Sequence, residues 1–429
     1  MPLKTKRIRG TRDIVPAEIH KWRYVERAAL KVAECYGFGE LRTPIIEKTE
    51  LFVKGTGTTT DIVTKEMYSF DMGRENISLR PEMTPNAVRA ALENGLLGDA
   101  LPLKLCYIGP CFRHENPQAG RYRQFIQFGV ECFGAQSPSA DVEVICVARD
   151  LFERLGIGEI KLRINSIGCP DCRPAYNQKL VAYYENHKDE ICDTCKERLT
   201  RNPLRLLDCK NDRCKAIAMD APKSLNHLCS DCESHFSGLK TRLDVNGSKY
   251  VIDPFIVRGL DYYTKTVFEF TSDKIGSQDA IGGGGRYDPL VEQIGGPPTP
   301  GLGFAMGLDR ILMVMEENAV PFPEPKTRDL YIGSMGEEEG IKALTLTCAL
   351  RREGFIVECD TMGRSVKAQM KYANKIGARH SCIIGSNELA AGNIKIKNME
   401  NGEASDVALT EKALIDFLYG KYADRIVIK

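Results

Sequence analysis

Apolar positions near the start of the chain follow a helical period and then give way to strand-like runs. Between Pro16 and Cys35 they recur at Ile19, Trp22, Val25, Ala29 and Val32, the spacing of one buried helix face. Tyr36-Gly37-Phe38-Gly39 supplies the stop, and residues 41–46 read as a strand interrupted by Pro44. Up to residue 150, short apolar runs (105–109 and 125–133) alternate with glycine-containing turns. That rhythm predicts a sheet built mostly of hairpins and decorated by helices, not a regular βαβ alternation. Along Gln127-Phe128-Gly129-Val130-Glu131 polar and apolar residues alternate, so one strand face is polar.

From 169 to about 240 the apolar runs disappear, polar residues dominate and cysteines come in pairs. Strand signals return at 250–252 and 266–270, followed by glycines at 282–285 and a Gly/Pro stretch at 295–303. Phe322-Pro323-Glu324-Pro325-Lys326 reads as a linker. Beyond it the pattern runs strand (330–333), helix (340–353), strand (355–358), helix (365–376), strand (381–385), a separate small α/β domain. The expected layout is residues 1–168, an insertion at 169–245, a return to the first domain at 246–322, and a last domain at 327–429.

Composition narrows the picture. A chain of 429 residues is too long for one ordinary core. Lys plus Arg is 59 against 58 for Asp plus Glu, which excludes gripping nucleic acid by bulk charge but leaves room for a local basic surface. No apolar run approaches membrane-spanning length and the N-terminus has no apolar signal region, so a cytoplasmic location with no membrane partner is expected.

Disulfides are rare in the cytoplasm, so the 16 cysteines need another explanation. Eight form four pairs in the insertion: Cys169/Cys172, Cys192/Cys195, Cys209/Cys214 and Cys229/Cys232. Two structural zinc sites would use all eight, with His227 and His235 as substitute ligands. An iron–sulfur cluster, buried free thiols and redox-active pairs are the alternatives. The other eight sit mostly in apolar runs and read as core filler.

Three clusters carry candidate chemistry. In Leu79-Arg80-Pro81-Glu82-Met83-Thr84-Pro85 a carboxylate and a hydroxyl two residues apart on an extended segment would point to one side and suit an ammonium group; otherwise Thr84 simply caps a following helix. Arg113 and Glu115, with the polar face of 121–131, would set arginines against a polyphosphate and carboxylates against an amine; the alternative is an exposed salt-bridged hairpin. The third cluster comprises 257–264, 281–288 and 301–310. Its four consecutive glycines admit close approach of a ligand, or mark a loop of no chemical interest. A P-loop is excluded and a Rossmann fingerprint is weak.

In this order, the segments resemble class II aminoacyl-tRNA synthetases. The helix–turn–strand ending at Pro44, Phe112-Arg113-His114-Glu115 with 121–131, and 301–310 resemble the three class motifs. Arg258-Gly259-Leu260-Asp261-Tyr262-Tyr263 and Gly283-Gly284-Gly285-Arg286-Tyr287-Asp288 resemble the two histidine signatures of the histidyl-tRNA synthetase family. The resemblance runs from about residue 6 to the C-terminus. It implies an α+β catalytic domain on a mixed, mainly antiparallel sheet, an inserted domain contacting the tRNA acceptor arm, and a C-terminal α/β anticodon-binding domain.

It also implies ligation of L-histidine to its tRNA through a histidyl-adenylate, by a homodimer using ATP and Mg²⁺. Arg113 would grip the ATP α-phosphate, Glu115 face the adenine amine, Phe125 stack on adenine, and Arg121 and Arg310 hold the outer phosphates. Glu82, Thr84 and Gln127 would bind the histidine amino group, with Met83 standing where many bacterial relatives carry glycine. Glu131 and Tyr263 would read the imidazole, with Tyr262 close by, and Arg258 would lie between carboxylate and α-phosphate. Zinc is not implied, because many relatives build the insertion without such cysteines. The alternative within the fold is a non-catalytic regulatory subunit of ATP phosphoribosyltransferase; such relatives usually lack the anticodon domain and parts of the histidine signature.

Overall fold

The computed structural model describes residues 5–58, 60–275, 279–325 and 327–422. Lys326, the last residue of the expected linker, lies outside them. The chain divides into two compact units, Met1–Pro323 and Glu324–Lys429.

The first unit is organised by an eight-stranded sheet. Its order is Gly39–Glu40, Leu103–Phe112, Gln124–Phe133, Gly301–Gly307, Ala280–Arg286, Thr264–Thr271, Lys161–Ser166 and Val251–Ile252. The outermost pair at each edge is parallel and every inner pair antiparallel, so the sheet is mixed and mainly antiparallel, as the apolar rhythm predicts. Helices Ile19–Cys35, Pro138–Arg154, Ser230–Val245 and Leu308–Glu317 contribute to one large core with Phe128, Val130, Phe268 and Phe304 of the sheet. Each fully buried Leu, Val or Phe side chain there contributes about 1.5–3 kcal/mol. Ser137 starts the second of these helices by accepting a 3.2 Å hydrogen bond from the Ser139 amide, with Pro138 at the first helical position.

Because side chains alternate across a strand, committing Phe128 and Val130 to this core turns Gln127 and Glu131 to the opposite face. The glycines 282–285 belong to an inner strand, not a loop. A Cβ at Gly284 would lie 2.6 Å from the Cα of Phe304 on the neighbouring strand, so only glycine lets these two strands lie this close.

The insertion is helical: Arg173–Glu185, Asp193–Arg201, Asp212–Met219 and Ser230–Val245, with single turns at Pro203–Leu206 and Ser224–His227. Its small apolar cluster joins Tyr176, Leu180, Leu199 and Leu206 to Val257.

The second unit carries a five-stranded sheet in the order Val357–Cys359, Leu330–Ser334, His380–Ile384, Asn393–Asn398 and Ala404–Ala408. The first three strands are parallel; the last two form an antiparallel hairpin. Among the described residues no helix is long and apolar enough to cross a membrane.

Candidate active site

The sheet face bearing Gln127 looks into an open cavity of about 900 Å³. Of the residues expected to hold nucleotide and amino acid, all except Met83 and Glu131 line it.

Glu131 lies beneath the floor and is 1% exposed. The Tyr107 hydroxyl donates a 2.8 Å hydrogen bond to its Oε1, and the Tyr287 hydroxyl donates to its Oε2. Burial pushes this carboxyl up to about 7, against the pull of the hydroxyl donors. Neither tyrosine was expected in the site, although Tyr287 lies within one histidine signature. Tyr107 faces Glu131 from the adjacent strand, in a run whose apolar character masks its hydroxyl.

Glu82 is also a buried carboxylate, 3% exposed. Thr56 donates to its Oε1 at 2.6 Å and Tyr262 to its Oε2 at 2.8 Å, while burial raises its pKa. The extended geometry expected for residues 82–84 is not what forms. Met83 (φ −118°, ψ −11°) precedes a helix, Thr84–Glu93, so Thr84 is the first helical residue and not its cap. The turn directs Met83 into a cluster with Ala87, Tyr107 and Cys111, leaving Glu82 and Thr84 on the cavity wall.

The cavity is rich in arginine. Arg113 is held by a 2.9 Å bond from its Nε to the Pro81 carbonyl, lies over the Phe125 ring and faces Glu115 at 3.8 Å. Glu115 also pairs with Arg121. Arg310 donates to the Ala280 carbonyl; burial, with Arg121 nearby, presses its pKa down. Arg258 pairs with Glu269, and its buried Nε has no hydrogen-bond partner. Burial opposes its charge, but Glu269, Tyr263 and Tyr262 together offset this and hold its pKa above the ordinary value. A partly buried guanidinium on the cavity wall, with one donor left unpaired, is suited to receive an anion.

Arg286 is different. It is fully buried and donates to Asp141 at 2.6 and 2.9 Å and to the carbonyls of Ala135 and Ser137. It anchors the fold and does not face the cavity.

The paired cysteines assemble into two quartets, Cys169/Cys172/Cys229/Cys232 and Cys192/Cys195/Cys209/Cys214, with all sulfurs of a quartet within 4.8 Å. Every cysteine is a free thiol. The separations include 3.6 Å for Cys169–Cys172, 3.9 Å for Cys169–Cys229 and 3.8 Å for Cys192–Cys209. Four thiolates tetrahedrally placed about 2.3 Å from zinc would be about 3.8 Å apart, so the residues fit that ion. Backbone amides point at sulfur in both quartets: Cys229 to Cys172 at 3.1 Å and Cys192 to Cys214 at 3.2 Å. The histidines expected as substitutes are engaged elsewhere. His235 pairs with Asp141 at 3.1 Å, and His227 stacks on Tyr176.

The profile of the histidyl-tRNA synthetase family matches residues 10–172 and 185–311. The chain belongs to that family. An anticodon-binding-domain profile matches residues 331–418. Histidine–tRNA ligase of Acetivibrio thermocellus is 52% identical over 94% of this chain and 97% of its own length. The Desulforamulus reducens enzyme of that name is 50% identical over 96% and 98%. The solved structure of apo S. aureus histidyl-tRNA synthetase matches with a TM-score of 0.81 at 36% identity, covering 96% of this chain and 99% of that one.

Proposed function

We propose that this family member joins L-histidine to its tRNA through a histidyl-adenylate, releasing pyrophosphate and then AMP. The observation that carries the mechanism is the convergence of Arg113, Arg121, Arg258 and Arg310 on one cavity that also contains Glu82 and Gln127.

A histidine carboxylate oxygen attacks the α-phosphorus of ATP as the bond to pyrophosphate breaks. Both partners are anions, so the site must offset their repulsion and the charge growing on the phosphoryl oxygens. Arg113 and the open Nε of Arg258 supply fixed donors for this; removing one such donor typically costs about 10²–10³ in kcat. Glu115 and Phe125 hold the adenine, and Arg121 and Arg310 the outer phosphates. Mg²⁺ travels with ATP and screens those phosphates; Glu269 and Asp279, carboxylates of the cavity wall, are the oxygen ligands that would meet it. No general base is needed, because the attacking carboxylate is already ionised. Glu82, Thr84 and Gln127 receive the amino group. Tyr263, with Tyr262 alongside, meets the imidazole, while Glu131 acts from beneath the floor through Tyr287, which lines the cavity and donates to it; an apolar analogue would leave the polar groups of the wall unpaired. In the second step the terminal ribose hydroxyl of the tRNA attacks the adenylate carbonyl, forming the ester and expelling AMP.

The protein works as a cytoplasmic homodimer, with the C-terminal unit on the anticodon and the insertion on the acceptor arm. The two cysteine quartets are closed structural metal sites, with zinc the ion they select. The presence of the anticodon-binding match and both histidine signatures favours the ligase over a regulatory subunit. Charging of the cognate tRNA transcript with labelled histidine tests the reading: ATP-dependent ester formation supports it, and adenylate formation without transfer contradicts it.

A further inference from the structure

The two quartets are nested. One ties the entry of the insertion (Cys169, Cys172) to its far end (Cys229, Cys232); the other closes a shorter loop, 192–214, inside it. We infer that the inner quartet is a positioning device for the Arg258 loop, so that amino-acid activation in this chain depends on its metal; this rests on the zinc reading above.

Three contacts carry the inference. Cys195, Cys209 and Cys214 share one apolar cluster with Val257, the residue before Arg258. Asn202 donates a 2.7 Å hydrogen bond to Asp261, three residues after Arg258. At Gly259 a Cβ would lie 3.1 Å from Nη1 of Arg205, so the missing side chain gives that guanidinium its place against the loop. Arg198 and Arg205 in turn reach Asp61, at 3.5 and 3.7 Å. Residues 198–209 are thereby wedged between the Arg258 loop and Asp61. Cys192 and Cys209 themselves line the cavity.

The wedge cannot hold itself. It consists of the end of a nine-residue helix and one turn, and an eight-residue helix follows it. Apart from the cysteines, the buried apolar side chains of residues 193–219 are few: Leu199, Leu206, Leu207 and Ala218. A segment this short needs a cross-link to fix a unique geometry. Four thiolates on one ion supply it, and they fix the register of Asn202 and Arg205, which lie between the second and third ligands. Arg258 is then held from its own strand side by Glu269 and from the insertion through Val257, Gly259 and Asp261.

The test uses the full-length protein, its metal content, pyrophosphate exchange with histidine, and titration of adenylate formed per chain. The wild type should hold two zinc ions. The double variant Cys192→Ser/Cys209→Ser should hold one and exchange at least tenfold more slowly, while the adenylate titre per chain stays near that of the wild type. A falling titre at an unchanged rate per active site would instead mean mere loss of folded protein and would overturn the inference. Asn202→Ala keeps both quartets; it should retain two zinc ions and slow exchange severalfold, and it decides the matter if the double variant does not fold. Wild-type protein with less than one metal per chain removes the zinc reading itself. Two ions in the wild type, with unchanged exchange in the folded double variant or in Asn202→Ala, removes the coupling and leaves the metal sites standing.

Discussion

The Tyr262 hydroxyl donates a 2.8 Å hydrogen bond to Oε2 of Glu82, 180 residues earlier in the chain. It joins the 258–263 segment to the entry of helix Thr84–Glu93 on the cavity wall. Tyr262→Phe leaves a buried carboxylate short of one donor, a loss of about 1–3 kcal/mol. If Glu82 receives the amino group, histidine KM rises about tenfold or more while ATP KM changes little. Steady-state exchange kinetics with each substrate varied in turn check this; equal shifts in both would detach the pair from histidine.

Glu131 titrates near 7 in the folded protein, above its ordinary 4.5. Between those values the native state holds a proton that the unfolded chain has released. The stability tied to this group is therefore fully present below its unfolded pKa and lost as pH rises through about 7. Glu131→Gln cannot titrate, so its stability relative to the wild type should increase from about pH 5 to about pH 8. Urea midpoints at the two pH values measure it; a constant difference would assign the titration elsewhere.

Arg258→Ala should lower the exchange kcat by about 10²–10³-fold, since it removes a fixed donor at the charge-developing centre. Arg258→Lys should recover little, because an ammonium cannot reproduce a planar fork paired with Glu269. Thermal melting of both should stay close to that of the wild type. Full activity in the alanine variant would take Arg258 out of the mechanism.

Arg286→Ala behaves in the opposite way. It strands Asp141 in the interior with only His235 beside it, and breaking a buried pair costs about 3–5 kcal/mol. The variant should melt well below the wild type, and whatever fraction remains folded should bind ATP normally. A weakened ATP affinity at unchanged stability would make Arg286 a ligand residue instead.

What could be read from the chain follows physical locality. The polar face of Gln127 and Glu131 is written in the alternation of five consecutive residues, and the cysteine pairs in their spacing. The C-terminal strand–helix rhythm is equally local. Other features depend on distant partners. Nothing near Tyr107 announces that its hydroxyl serves Glu131, or that Arg286 is committed to Asp141. His235, taken as a spare metal ligand, is held by that same Asp141. The glycines at 282–285 admit a loop reading because their neighbour, the 301–307 strand, arrives only with the fold; the close approach to a ligand that they also suggest fits Gly282 and Gly283, which line the cavity. Met83 turns inward because the helix begins at Thr84, the residue expected to cap it, so that Met83 takes the cap position.

The most direct measurement is histidine-dependent exchange of pyrophosphate into ATP, run with purified full-length protein, Mg²⁺ and each of the twenty amino acids separately. Fast exchange with histidine and background rates with the others is the predicted result. No exchange with histidine, or equal exchange with another amino acid, would contradict the account.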